Sequence, residues 1–195
     1  MYAQPSLQDP ISDLAPDDHE LLWDMRHDLK PFPFALAPVL RAVNWTDPRA
    51  VSEAITLLYE WDTPGPEDAL ILLDHRLPEP KVRAFAVQCL GQMGDSELRQ
   101  YMLQLIQALK FETFHDSALA RFLLRRALSN PVLIGHIFFW YLKAEMHVPV
   151  VQERFGILLE LYLRNCGKHR ISLGHQMLVM RKLGKLGLRL ACATG

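Results

Sequence analysis

Apolar residues recur every three or four positions along most of the chain, which is the spacing of amphipathic α-helices. No segment shows the alternation of apolar and polar residues that is typical of a strand. The pattern predicts a first helix that starts near Asp17 and ends before Pro31. Further helices are predicted over residues 50–61, 67–74, 81–90, 96–111, 118–128, 132–146 and 150–163.

The predicted helices are separated by short segments rich in proline, glycine and capping residues. Asn130-Pro131 and Val148-Pro149, for example, each place a proline where a helix is expected to begin. Because the connections are short, we expect consecutive helices to be antiparallel neighbours that bury their apolar stripes against each other. Three leucines are then expected in the core: Leu103, Leu124 and Leu158.

A weak internal repeat relates three of the predicted helices. Val82, Ala118 and Arg154 begin or lie in similar segments and are spaced 36 positions apart. The segment Pro80-x-Val82-Arg83-x-x-Ala86-Val87 is close to the pattern of HEAT-like repeats, in which a small residue lets the paired helix approach and the arginine caps or pairs at the turn. We therefore predict an all-α fold, a HEAT-like solenoid of antiparallel helix pairs.

Composition narrows the class of protein. The chain has 195 residues, half of them hydrophobic, and a formal net charge of -1, so we expect one domain and no nucleic-acid partner. Its three cysteines include no Cys-x-x-Cys pair, and its N-terminus lacks the basic and apolar regions of a secretory signal. These features predict a cytoplasmic protein. The most apolar run, residues 131–142, is shorter than the roughly 20 residues that cross a bilayer.

Motifs that would carry catalysis are incomplete. Gly184-Lys185 is followed by Leu186, which cannot supply the hydroxyl of a Walker loop, and His19-Glu20 has Trp23 where a zinc-protease helix needs histidine. His136 has no second histidine at i+4, and its aromatic neighbours over 137–141 suit a buried helix better than a binding platform. We expect no catalytic residue, no cofactor and no metal.

Two charged segments are candidates for contact with partners. The first is an acidic leader that includes Asp13, Asp17 and Asp18; it is either a solvated helix start or a docking site for a basic surface. The second is a basic C-terminal stretch without any acidic residue after Glu160. It is either a final helix that lacks its neighbour or a contact for anionic lipid or an acidic protein face. Its candidate contact residues are Lys182, Lys185 and Arg189.

Several longer motifs are specific. They include Leu21-Leu22-Trp23-x-x-Arg26-His27, Pro80-x-Val82-Arg83-x-x-Ala86-Val87, Asp116-Ser117-Ala118-Leu119-Ala120-Arg121-Phe122, Ile134-Gly135-His136-x-Phe138-Phe139-Trp140 and Arg154-Phe155-Gly156-Ile157-Leu158-Leu159-Glu160. Together they resemble the helical accessory (PIK) domain of class I phosphoinositide 3-kinase catalytic subunits. The resemblance covers roughly residues 9–180.

This resemblance implies a helical spine of a cytosolic lipid kinase, packed against its C2, Ras-binding and kinase domains. In class I enzymes that bind a phosphotyrosine-reading regulatory subunit, acidic residues before the first helix pair with a basic Src-homology domain surface and restrain activity. Aligned on Asp9-Pro10, the first acidic position falls on Asp13, but the second falls on Pro16, ahead of Asp17 and Asp18. Membrane contact would then be peripheral, through recruitment of the kinase complex to the plasma membrane.

The motifs of the family's kinase domain do not occur in this sequence, and the resemblance ends near Lys182. We therefore expect an acidic leader over 1–16, a PIK helical domain over 17–182 and a divergent basic tail over 183–195, with a structural role and no phosphoryl transfer. The alternative is an independent adaptor that binds a protein or an anionic membrane through the leader or the basic stretch.

Overall fold

The computed structural model describes the backbone of residues 16–193 and the side chains of residues 17–186. This part of the chain is helical and contains no strand, which confirms the all-α fold. Its α-helices are α1 (Pro16–Asp24), α2 (Leu36–Ala42), α3 (Pro48–Glu60), α4 (Pro66–Ile71), α5 (Pro80–Leu90), α6 (Asp95–Ala108), α7 (Ala118–Ser129), α8 (His136–Ala144), α9 (Pro149–Asn165) and α10 (His169–Ala193).

Helix starts follow the capping chemistry of the sequence. Helix α3 begins with Pro48, and the Asp47 side chain accepts a hydrogen bond of 2.9 Å from the Arg49 amide. Asn130 likewise accepts from the Leu133 amide at 3.1 Å, ahead of a single π-helical turn, Pro131–Gly135, that leads into α8. Proline suits the first helical position because its missing N–H has no intrahelical acceptor there.

The chain divides into two compact units, one ending at Phe122 and the other beginning at Leu123. In the first unit α1 packs against α2, and α5 packs against both α3 and α4. Its core is aliphatic and includes residues with no exposed surface: Leu58, Val82, Leu90, Leu105 and Ile106. Within residues 17–122, Arg83 is the one large charged side chain that is fully buried.

The second unit is built around the packing of α8 on α9. Phe138, Phe155 and Tyr162 have no exposed surface, and the Phe138 and Tyr162 rings meet edge to face with centroids 5.6 Å apart. Such an arrangement is favourable for aromatic rings because the positive edge of one ring meets the negative face of the other. The aromatic run at the start of α8 is therefore mainly core, as its helical spacing predicts.

The structure corrects one of the core positions. Leu158 is buried and Leu124 is half-buried, but Leu103 is 48% exposed. The buried stripe of α6 is formed by Leu98, Met102, Leu105 and Ile106, and Leu103 lies beside that stripe. The prediction for Leu103 was wrong because an apolar residue at the edge of a helical stripe is buried only where a neighbouring element covers it.

The first helix is also shorter than predicted. Helix α1 ends at Asp24, and residues 25–31 form turns, so Met25 is 42% exposed while Leu29 remains buried. The Arg26 guanidinium donates to the Trp23 carbonyl oxygen at 2.6 Å and to Glu53 of α3 at 2.7 Å. The local bond to Trp23 satisfies a carbonyl at the end of α1, and the tertiary bond to Glu53 holds the Arg26 side chain against α3.

The last helix, α10, runs without a break from His169 to Ala193 and therefore passes through Lys182. The division into leader, helical domain and tail at residues 16 and 182 stays a prediction, as does the superhelical stacking of a solenoid. No helix in residues 16–193 is both long and apolar enough to cross a membrane.

Candidate functional site

The most extensive buried polar contact in the first unit centres on Arg83, in the first turn of α5. Its side chain is 2% exposed, and its Nε donates to Oε1 of Glu112 at 2.9 Å. The guanidinium also donates to four backbone carbonyl oxygens, those of Leu73 at 2.9 Å, Asp74 at 3.2 Å, Leu77 at 3.5 Å and Ala108 at 3.2 Å. The prediction that this arginine pairs at a turn is confirmed.

The Arg83 cluster, as we name these contacts, joins three places in the chain: the turn after α4, the start of α5 and the end of α6. Carbonyl groups at helix ends have no intrahelical donor, and a buried one without a partner is costly. A guanidinium supplies five N–H donors in a fixed plane, which fits several acceptors at once. The cluster therefore fixes the relative positions of α4, α5 and α6.

A shallow cavity of about 230 Å³ lies beside this cluster. Pro80, Ala84 and Glu112 line one part of it, and Phe114, which is 62% exposed, lines another. Asp116 lines it as well and forms an ion pair with Arg121. The hydrogen bond from Arg121, together with its charge, lowers the pKa of Asp116 below its ordinary value. The cavity is thus a surface feature bordered by an exposed aromatic ring.

The structure places Asp17 and Asp18 in the first turn of α1, where the helix dipole favours negative charge. Asp17 is exposed, as are Glu20 and Asp24 farther along the helix. We call these four carboxylates the acidic surface of α1. Asp13 lies outside the described residues.

Two cations that follow α1 in the sequence pair with carboxylates of α3. Arg26 pairs with Glu53 at 2.7 Å, and Lys30 pairs with Glu60 at 2.5 Å. The hydrogen bond from Arg26 is the main reason that the pKa of Glu53 is lowered. The charges of Arg26 and Lys30 are therefore balanced by carboxylates of α3.

A second polar cluster, in the other unit, was missed by the sequence reasoning. Tyr162 of α9 has no exposed surface, and its hydroxyl shares a hydrogen bond of 2.7 Å with Nδ1 of His169 at the start of α10. The ring of His136 lies 6.0 Å from that of His169. Burial lowers the pKa of His169, and the neighbouring His136 lowers it further. The sequence reasoning missed this cluster because its two histidines are far apart along the chain.

The C-terminal candidates lie on α10. Lys182 and Lys185 are exposed on this helix, whereas Arg189 falls in its last part, outside the described side chains. The structure therefore brings the two lysines to one helix, on a unit different from that of the acidic surface.

Within residues 17–186, no three His, Cys, Asp or Glu side chains lie together in a way that could hold a metal ion. Cys89 and Cys166 are buried free thiols, and burial raises the pKa of both. A raised pKa disfavours the reactive thiolate.

Comparison with known proteins gives consistent results. Residues 4–174 match the family described as "Phosphoinositide 3-kinase family, accessory domain (PIK domain)". The chain is 47% identical over 189 residues to phosphatidylinositol 3-kinase 1 of Dictyostelium discoideum, which covers 97% of this chain and 12% of that protein.

Two further proteins of the same organism are similar. Phosphatidylinositol 3-kinase 2 is 42% identical over 187 residues, covering 96% of this chain and 10% of that protein. Phosphatidylinositol 3-kinase 3 is 43% identical over 159 residues, covering 81% of this chain and 9% of that protein. The chain thus spans only 9% to 12% of the length of these relatives.

Proposed function

The chain belongs to the phosphoinositide 3-kinase family as its accessory (PIK) domain, and from this membership we propose that it is a structural helical domain of a phosphatidylinositol 3-kinase catalytic subunit. In this role it holds the C2, Ras-binding and kinase domains of a cytoplasmic lipid kinase in place. It supplies surfaces, and phosphoryl transfer belongs to the kinase domain.

The observation that carries this proposal is the Arg83 cluster, which lies within the residues that match the family. A scaffold has to keep its outer surfaces at fixed positions. The cluster does this for α4, α5 and α6 by joining their ends through one buried guanidinium. A buried ion pair of this kind adds less to stability than to the definition of one arrangement, since its desolvation offsets much of its attraction.

The proposed role also includes regulation through the acidic surface of α1 and the leader before it. Its charge suits a basic partner, and Src-homology domains of regulatory subunits are the partners that the family suggests. Asp17 and Asp18 stand in for the second acidic position, which here is occupied by Pro16. Recruitment to the plasma membrane would then follow from the kinase complex as a whole.

A chimera tests the scaffold role. The corresponding segment of Dictyostelium phosphatidylinositol 3-kinase 1 is replaced by this chain, and lipid kinase activity is measured beside an unmodified enzyme and a chimera that carries Arg83→Met. We expect the first chimera to be folded and active and the Arg83→Met chimera to lose activity at a lower temperature. A folded chimera with no activity would contradict the proposal, as would full activity in an enzyme that has a flexible linker in this place.

Binding measurements test the regulatory contact separately. The purified chain is titrated with an isolated Src-homology domain of a regulatory subunit, and the variants Asp13→Lys, Asp17→Lys and Asp18→Lys are compared with Glu153→Lys. Glu153 is an exposed carboxylate on α9 and serves as the matched control. We expect the three aspartate variants to bind more weakly and Glu153→Lys to bind as the unmodified chain does. Equal binding by all variants would exclude the acidic surface as the docking site.

A further inference from the structure

Helix α10 is anchored to its own unit by its first two turns. His169 shares a hydrogen bond of 2.7 Å with Tyr162 of α9, and Leu173 is 1% exposed. One turn later, Nε1 of Trp140 on α8 donates to Oε1 of Gln176 at 3.1 Å. These three contacts fix the direction in which the rest of the helix extends.

Beyond Gln176 the environment of the helix changes. Every residue from Met177 to Leu186 is exposed, although many of the side chains are large and apolar. Met180 is 59% exposed, Leu183 is 57% exposed and Leu186 is 53% exposed. A continuous row of exposed apolar side chains usually marks a surface that binds something.

Most of the apolar residues of this exposed half lie on a different side of the helix from the basic residues, although Leu178, which is 41% exposed, lies among the basic ones. Because an α-helix turns once every 3.6 residues, Met180 and Leu183 share one side, and Val179 and Leu186 extend it. The opposite side carries three basic residues: Arg181, Lys182 and Lys185. No acidic residue follows Glu160 in the sequence.

We propose that the exposed half of α10, from Met177 to Leu186, binds the surface of an anionic lipid bilayer. A helix that lies in the membrane interface has this pattern, with an apolar side in the lipid and a side rich in lysine and arginine. Negative headgroups complement the three basic residues. The lipid contact goes beyond the proposed scaffold role, which concerns packing against other domains of the enzyme.

Charge and side-chain type favour lipid over a protein as the occupant. The apolar row of α10 consists of methionine, valine and leucine, and leucine is typical of the lipid-facing side of interfacial helices. Insertion between acyl chains requires no surface of matching shape, whereas binding to a protein does. The helix would lie along the interface, since no helix in residues 16–193 meets the requirements for a membrane span.

Vesicle sedimentation tests the proposal with the 195-residue chain. Vesicles of phosphatidylcholine with about 30% phosphatidylserine are compared with pure phosphatidylcholine, at salt of about 0.1 M and about 0.5 M. We expect binding to the anionic vesicles alone and strong weakening at high salt. The triple variant Arg181→Glu, Lys182→Glu, Lys185→Glu is expected to reduce the partition coefficient by at least about 100-fold.

Two further variants separate the contributions of charge and apolar contact. A triple serine variant at Met180, Leu183 and Leu186 keeps the charge and should also lose most of the binding. The control Arg49→Glu, Lys81→Glu, Arg99→Glu makes the same change of charge at exposed residues of the other unit and should bind as the unmodified chain does. Circular dichroism verifies that all three variants keep their helical content.

Absence of binding to anionic vesicles would overturn the proposal, and so would equal weakening by the control variant. If the triple serine variant still binds anionic vesicles, the apolar row does not insert into the lipid and that part of the proposal is wrong. Self-association is measured by sedimentation velocity without lipid. A dimer that is disrupted by the serine variant, in a chain that does not bind vesicles, would assign the row to contact between copies. The chimera assay of the scaffold role does not depend on any of these outcomes.

Discussion

Arg83 and Glu112 are 29 positions apart in the sequence and form an ion pair of 2.9 Å between side chains that are 2% and 6% exposed. The pair closes a loop that contains all of α6. Its charges are removed from water, so each depends on the other and on the surrounding carbonyl groups for solvation. We expect this dependence to make the pair the most sensitive polar contact of the first unit.

Removing the Arg83 side chain is therefore expected to lower the stability of the fold strongly. Arg83→Met takes the guanidinium away from a buried carboxylate and from four backbone carbonyl groups, and should lower the free energy of unfolding by about 3–5 kcal/mol. The double variant Arg83→Met, Glu112→Met should regain part of this loss, because no buried charge is then left. Urea unfolding of both single variants and the double variant measures the coupling.

The exposed pair between Asp116 and Arg121 provides the control for that measurement. Both side chains lie in water, at 69% and 66% exposure, so Arg121→Met should leave the urea midpoint nearly unchanged. If Arg121→Met lowers the free energy of unfolding as much as Arg83→Met does, then burial does not determine the cost of losing an ion pair.

The corrected position of Leu103 leads to a second prediction. Leu158→Ala should lower the free energy of unfolding by about 2–5 kcal/mol, because Leu158 is 4% exposed and its truncation opens a cavity. Leu103→Ala should change it by less than about 1 kcal/mol, because nearly half of that side chain is already in water. Thermal unfolding of the two variants distinguishes them. Similar losses would restore the prediction that Leu103 is a core residue.

Gly135 is expected to tolerate no larger residue. A Cβ atom at this position would lie 2.0 Å from the Tyr162 hydroxyl oxygen and 2.8 Å from the Ala127 carbonyl oxygen. Gly135→Ala should therefore destabilise the fold by about 1–3 kcal/mol, since the contact forces side chain and backbone to move.

Gly174→Ala is the matched control for Gly135→Ala. No atom lies within 4 Å of a Cβ at Gly174, and alanine there should stabilise α10 by up to about 1 kcal/mol through its helix propensity. The melting temperature measured by calorimetry should fall in Gly135→Ala and rise in Gly174→Ala. Combining Gly135→Ala with Tyr162→Phe should recover only part of the loss, because the close approach to the Ala127 carbonyl remains.

His169 predicts a pH dependence of stability. Its pKa in the folded chain is below the ordinary value of about 6.5, first because of burial and then because of His136. The unfolded chain therefore binds more protons in the interval below about pH 6.5, and stability should fall as the pH falls through that interval. The contribution of His169 to stability should be fully present above the pKa that this residue has in the unfolded chain.

Urea unfolding at about pH 7.5 and about pH 5.5 measures this effect, with His169→Gln as the comparison. The variant should lose less stability on acidification than the unmodified chain. His115→Gln, at an exposed residue of the first unit, is the control and should retain the full dependence. An unchanged pH dependence in His169→Gln would show that other groups cause it.

The sequence alone determined the all-α class, most helix starts and the pairing role of Arg83. These features depend on local chemistry: apolar spacing, prolines at first helical positions and a recognisable turn segment. The specific motifs were sufficient for recognition of the family. Asp17 and Asp18 could also be placed at a helix start, since negative charge favours that position.

Tertiary structure decided the rest. Neighbouring elements determine which side of a helix is covered, and this left Leu103 exposed and ended α1 at Asp24, where the Arg26 side chain bonds to Trp23 and Glu53. The contact between Tyr162 and His169, and the exposure of α10 beyond Gln176, depend on how α8, α9 and α10 pack in three dimensions. Side-chain burial is a property of neighbours brought together by folding, and sequence spacing specifies only the side of the helix on which a residue lies.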